Sequence, residues 1–372
     1  MGSTALLVVM LLAGDAPMTA PVERAMQANL AQVASILAFL ESPDAFRDPK
    51  NAAPISEAID VLARMEHVVR QQDNPAVSTI GSLFGQEVAR TRADFDQGRP
   101  DSARHRMIGL TRMCMGCHSS AAVNLDFRGL DGLVDSLRLS PLQRANFYVA
   151  THQFSRAKEL WTKALSITPT NDAETFEQAQ ALRLAVATLT RTQQDPDAVL
   201  EVVAPQLKRR DYPGFMQRAL KRWVADASAW RAEGFDPSRK TPEALLAKAE
   251  ALLAKTGAAS RMLSDDEGLV LNMRAAAYVT RALDGNPPPA REARGLYLLA
   301  LAHTTSVEPA LWQLDGLLLE RCVQLQPHTE QAQVCAKRLA DRVGFSYHGS
   351  EGGPVPAAMV QRIGELRALA MP

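Results

Sequence analysis

Two thiols and an imidazole stand together in this 372-residue chain as Cys114-Met115-Gly116-Cys117-His118. Each thiol of such a Cys-x-x-Cys-His run can add across one vinyl group of a haem, and the histidine that follows can put an imidazole nitrogen on the iron from the same side. The spacing predicts one covalent haem c, with Cys114 and Cys117 forming the thioether links and His118 holding the iron. Two other chemistries use a Cys-x-x-Cys pair. A thiol–disulfide pair of the thioredoxin kind sits beside a strand in a βαβ unit, and nothing from Pro21 to Leu139 reads as a strand. A structural zinc site needs four ligands. The remaining cysteines, Cys322 and Cys335, lie about two hundred residues away with no metal-site histidine spacing.

Four amphipathic stretches precede and carry the motif. The first, from about Val22 to Leu40, has Met26, Leu30, Val33, Leu37 and Leu40 on one face. The second follows Pro54 with Ile55, Ile59, Leu62, Met65 and Val69, and the third follows Asn74-Pro75 with Val77, Ile80, Phe84, Val88, Thr91 and Phe95. After Gly98-Arg99-Pro100 the fourth opens with Asp101 or Ser102 as the expected N-cap and carries Met107, Leu110, Cys114 and Cys117. Both cysteines thus fall on the inward stripe. Four such helices predict an up-and-down bundle over residues 21–130, with the haem between helices near one end.

A cysteine motif late in the last helix of a four-helix bundle resembles the class II, cytochrome c-prime type, of c-type cytochromes. The resemblance covers about residues 21–125 and rests on Cys114 to His118, with a weaker likeness in Glu23-Arg24-Ala25-Met26. It implies that Cys114 and Cys117 hold the haem, that His118 is the proximal ligand, and that a first-helix methionine, here Met26, supplies the sixth ligand in a low-spin form. An open, five-coordinate iron is the alternative. Members of that class usually follow the histidine with an acidic residue and an aromatic-Arg pair, whereas this chain has Ser119-Ser120-Ala121-Ala122. In class I cytochromes a methionine follows the motif within several tens of residues. Here the next one is Met216, so that arrangement is disfavoured. Met26 and Met65 also suit a plain core. His67 lies on the face away from Ile59, Leu62 and Met65 and reads as exposed, and His105 has no second motif beside it.

From about residue 139 to 345 the pattern becomes one of paired helices. Ala145, Tyr148, Ala157, Trp161, Ala164 and Pro169 match the small, aromatic and proline positions of a tetratricopeptide repeat of about 34 residues. Later units are degenerate. The resemblance implies a TPR-like docking surface rather than a catalytic one. Cys322 and Cys335 flank a helix turn near His328 and Thr329 almost symmetrically, which favours a disulfide between the two helices. Residues 346–372 read as a loop and a short helix.

Composition narrows the function. Basic and acidic residues balance at 41 each, which leaves no field for nucleic acid. Alanine and leucine dominate and aromatic residues are 5%, so the expected class is all-α. The run Ala5 to Ala13, followed by Gly14, Ala16 and Ala20, reads as a signal peptide over residues 1–20, and no stretch is long enough for a transmembrane helix. The expectation is a periplasmic monohaem cytochrome that carries one electron, docks a redox partner through its repeats, and is not an enzyme. Two alternatives stand: a five-coordinate haem protein that binds or senses NO or CO, and a repeat adaptor with no redox role.

Overall fold

In the computed structural model of this chain, residues 42–70, 74–118, 139–150, 153–259, 266–304, 314–347 and 353–372 are described, with Ile36, Phe39, Leu40, Gly132, Val134 and Asp135 besides. The expected signal segment, Met26, and Leu30, Val33 and Leu37 of the first stripe lie outside the described residues. Every described regular element is helical, and no strand occurs among them, as the composition predicts. Proline starts many of these helices because its missing N–H is one that a first turn leaves unpaired anyway. Ser42, Asp195 and Thr241 each precede such a proline and accept backbone N–H groups at 3.2 Å, 2.9 Å and 3.3 Å from Ala45, Asp197 and Ala244. Gly234 and Gly257 end two helices at φ +64, a left-handed conformation that glycine adopts without a Cβ clash.

The chain divides into two compact units, residues 1–72 with 80–167, and residues 73–79 with 168–372. The first contains α1 (Pro43–Arg47), α2 (Ala52–Arg70), most of α3 (Pro75–Asp96), α4 (Pro100–His118), α5 (Pro141–Ala150) and α6 (Phe154–Leu165). Helices α2, α3 and α4 alternate in direction. The Arg92 guanidinium near the end of α3 donates to the Ser56 hydroxyl at 2.8 Å and the Ser56 carbonyl at 2.9 Å, near the start of α2. Ile55, Ile59, Leu62, Ile80, Phe84, Val88 and Thr91 are buried as their spacing predicts. Phe95 is half-buried and meets Phe46 edge-on, ring centres 6.3 Å apart. In the α5–α6 hairpin, Ala145, Ala157 and Trp161 are fully buried. This hairpin belongs with the first unit because α5 packs on α4, although the repeat pattern alone counts it with the segment that follows.

The second unit continues with α7 (Asp172–Thr188), α8 (Pro196–Val203), α9 (Gly214–Glu233), α10 (Pro242–Thr256), α11 (Leu269–Ala282), α12 (Pro289–His303), α13 (Leu314–Leu325), α14 (Glu330–Tyr347) and α15 (Ala357–Ala370). Most of these helices pack on the next, and several also reach the next but one. In α11 every residue except Arg281 is buried, the mark of a helix enclosed on all sides. Gly295 lets α12 come close to the preceding turn, since a Cβ there would lie 2.7 Å from Leu283 Cδ2. The sulfurs of Cys322 and Cys335 are 2.05 Å apart, joining α13 to α14 across the turn where the disulfide was expected. No helix among the described residues is long and apolar enough to cross a membrane.

Candidate functional site

Helix α4 carries the cysteine motif, and its first three turns are fixed by charge. Pro100 opens the helix, so Asp101 and Ser102 lie inside the first turn rather than capping it. The Ser102 hydroxyl instead donates to Asp94 Oδ2 of α3 at 2.6 Å, while Arg106 reaches the same oxygen at 2.8 Å and Glu87 Oε2 at 2.8 Å. Arg99 adds a contact of 2.5 Å to Asp94 Oδ1. Asp94 is 6% exposed. The hydrogen bond from Ser102, then that from Arg106, holds its carboxyl below the ordinary carboxylate range. The Arg106 guanidinium is in turn pushed up, first by its hydrogen bond with Asp94. Farther around α4, Arg104 Nε donates to the Leu40 carbonyl at 2.8 Å, and Arg47 Nε donates to Asp101 Oδ1 at 2.9 Å.

Sequence reasoning missed this network, because it sought apolar stripes. The available signal was the seven-residue step from Glu87 to Asp94 and the three- and four-residue steps from Arg99 through Ser102 to Arg106, each of which keeps residues on one helix face. The network locks α4 against α3 and thereby sets the direction in which the last turns of α4 project.

Those last turns hold the motif. The backbone is helical through His118, so Cys114, Cys117 and His118, at i, i+3 and i+4, share one face within little more than a turn. Ala103, Met107 and Leu110 are 0%, 1% and 2% exposed and descend α4 at steps of four and three. The same two steps repeated lead to Cys114 and then Cys117. Met113, also 0% exposed, lies beside that stripe. The side chains of Cys114, Cys117 and His118 lie outside the described residues, as do Met26 and the side chain of His67. His105 is exposed, on the opposite side of α4 from the buried stripe.

This backbone fits the group that the motif implies. Two thiols one helical turn apart can both reach one porphyrin edge, and an imidazole one residue later stays on the same side. The two cysteine positions continue the helical steps of the stripe formed by Ala103, Met107 and Leu110. Among the described residues no cluster of three His, Cys, Asp or Glu could hold a bare metal ion. No family model matches this chain, and neither the curated proteins nor the solved structures compared with it gave a match.

Proposed function

We propose that this chain is a periplasmic monohaem cytochrome c, built as a four-helix bundle over residues 21–130 with a TPR-like helical domain after it. Cys114 and Cys117 hold the haem through thioether links, His118 is the proximal ligand, and Met26 is the sixth. When bound, the haem supplies a one-electron Fe(III)/Fe(II) couple. The two thiols, one helical turn apart, would tether the ring at two covalent points on one helix, and His118 would present its imidazole to the iron from that helix. The TPR-like repeats over residues 139–345 supply the surface to which a redox partner docks. The chain thus transfers electrons between proteins rather than transforming a substrate.

The observation that carries this reading is the Cys-x-x-Cys-His run at the end of a helix whose preceding turns are buried on the same stripe. The experiment is a haem stain after denaturing electrophoresis, on protein matured in a host that attaches haem. Covalent haem stays with the polypeptide and stains. A chain that runs unstained, with an intact mass equal to the bare polypeptide, overturns the reading.

A further inference from the structure

The contacts that clamp α4 to α3 also fix the register of the two helices as far as the motif. Both rise by about 1.5 Å per residue, so a step along one is matched by an equal step back along its antiparallel neighbour. Glu87 meets Arg106, and Asp94 meets Ser102. Counted from the first contact, Leu83 is level with Leu110 and Ile80 with Met113. Counted from the second, Leu83 is level with Met113 and Ile80 with Gly116. Leu83 and Ile80 therefore stand within about one turn of Cys114 along the helix axis.

They also stand on the side of α3 that is turned to α4. Going back along α3, Asp94, Glu87, Leu83 and Ile80 follow at steps of seven, four and three, which keeps them on one face. Going forward along α4, Ser102, Arg106, Met113 and Cys117 follow at steps of four, seven and four. The facing sides thus change from charged at the loop end to apolar toward the motif, where Leu83, Ile80 and Met113 are buried.

We propose, on the cytochrome reading above, that Leu83 and Ile80 are the residues of α3 that touch the haem, and that they raise the reduction potential of the iron by keeping water from the ring. A ferric haem carries one more positive charge than a ferrous one, and charge is better stabilised by water than by aliphatic side chains. An aliphatic wall therefore favours the reduced form, burial being one of the means by which a polypeptide sets a haem potential.

Methyl NMR of the full chain matured with haem tests the contact. Ile80 and Leu83 are identified through Ile80→Val and Leu83→Met, and their signals are compared with those of the chain carrying Cys114→Ala and Cys117→Ala, which lacks the tether. The shift that a ferric haem induces falls steeply with distance. The expected result is a large displacement at Ile80 and Leu83 and little at Ile55, which is buried next to the Ser56 that Arg92 holds, at the loop end of α3. Potentiometric titration tests the consequence. Leu83→Gln lowers the reduction potential, and Leu83→Met, apolar and of similar volume, leaves it at the wild-type value. If the chain stains for haem but Ile80 and Leu83 shift no more than Ile55, the wall is refuted and the cytochrome reading stands. An unstained chain overturns both. An unchanged potential in a folded, haem-bearing Leu83→Gln overturns the role in setting the potential, and if that variant does not fold, the wild-type NMR comparison decides.

Discussion

The guanidinium carbon of Arg274 lies 4.6 Å from the centre of the Trp230 ring, placing a cation 2% exposed at its side chain against an aromatic face. Tyr278 flanks it at 5.7 Å and accepts a hydrogen bond from it at 3.1 Å, and Glu233 pairs with it at 3.2 Å. Lys248 of α10 joins Glu233 as well, so one buried arginine ties α9, α10 and α11 together.

Removing Arg274 takes away a buried side chain packed on Trp230 and Tyr278, while the exposed Glu233 keeps Lys248 as its partner. Arg274→Ala therefore destabilises the second unit through lost packing, by about 2–5 kcal/mol, and Arg274→Met, which keeps the packing volume, by less. Urea unfolding of the three proteins decides it. A loss below about 1 kcal/mol in Arg274→Ala would show that the node is dispensable.

The Cys322–Cys335 bridge closes a short loop in the unfolded chain, and both cysteines are 0% exposed. Replacing both by alanine is expected to cost about 2–4 kcal/mol. Thermal unfolding under non-reducing conditions gives the comparison. Identical midpoints for variant and parent would mean that the bridge leaves the unfolded ensemble unaffected.

His303 is buried in α12, and its Nδ1 has no hydrogen-bond partner among the described residues. Burial first, and then the positive charge of Arg191, holds its imidazole neutral far below the ordinary histidine range. The unfolded chain takes up this proton near pH 6.5 and the folded chain does not. Stability is therefore complete above that value and falls as the pH drops through it, by up to about 1.4 kcal/mol per pH unit. The expected result is a steeper loss between about pH 7.5 and 5.5 in the wild type than in His303→Asn, followed by denaturant titration at each pH. Parallel curves for the two proteins would remove His303 as the cause.

Cys114→Ala combined with Cys117→Ala is expected to abolish covalent haem while leaving the helical circular dichroism of the second unit, which holds none of the three motif residues. Stain retained by the double variant would place attachment elsewhere in the chain.

Met26→Ala is expected to convert a low-spin spectrum into a high-spin one and to abolish the weak ferric band of a methionine–iron pair. A wild type already high-spin would mean an open iron, and the reading would move to a protein that binds NO or CO.

Helical class was legible in the sequence because periodicity is local: Ile55, Ile59 and Leu62, or Ala103, Met107 and Leu110, announce a buried face through spacing alone. The disulfide was legible for a related reason, since two cysteines equally far from a short turn between antiparallel helices must face one another. The charged cluster around Asp94 was far less legible. Glu87 and Arg106 are 19 residues apart, and nothing in either helix alone says which neighbour the other will meet.

The sequence by itself determined that the chain is helical, where many of its helices begin, and that two thiols and an imidazole share one face of a single helix. Those are properties of neighbours within a turn or two, set by backbone geometry and side-chain type. Tertiary structure alone decided that Arg274 is buried beneath Trp230 and that the α5–α6 hairpin packs with the unit carrying the motif. Each depends on which distant surfaces meet, and burial is a property of the pair in contact rather than of either residue.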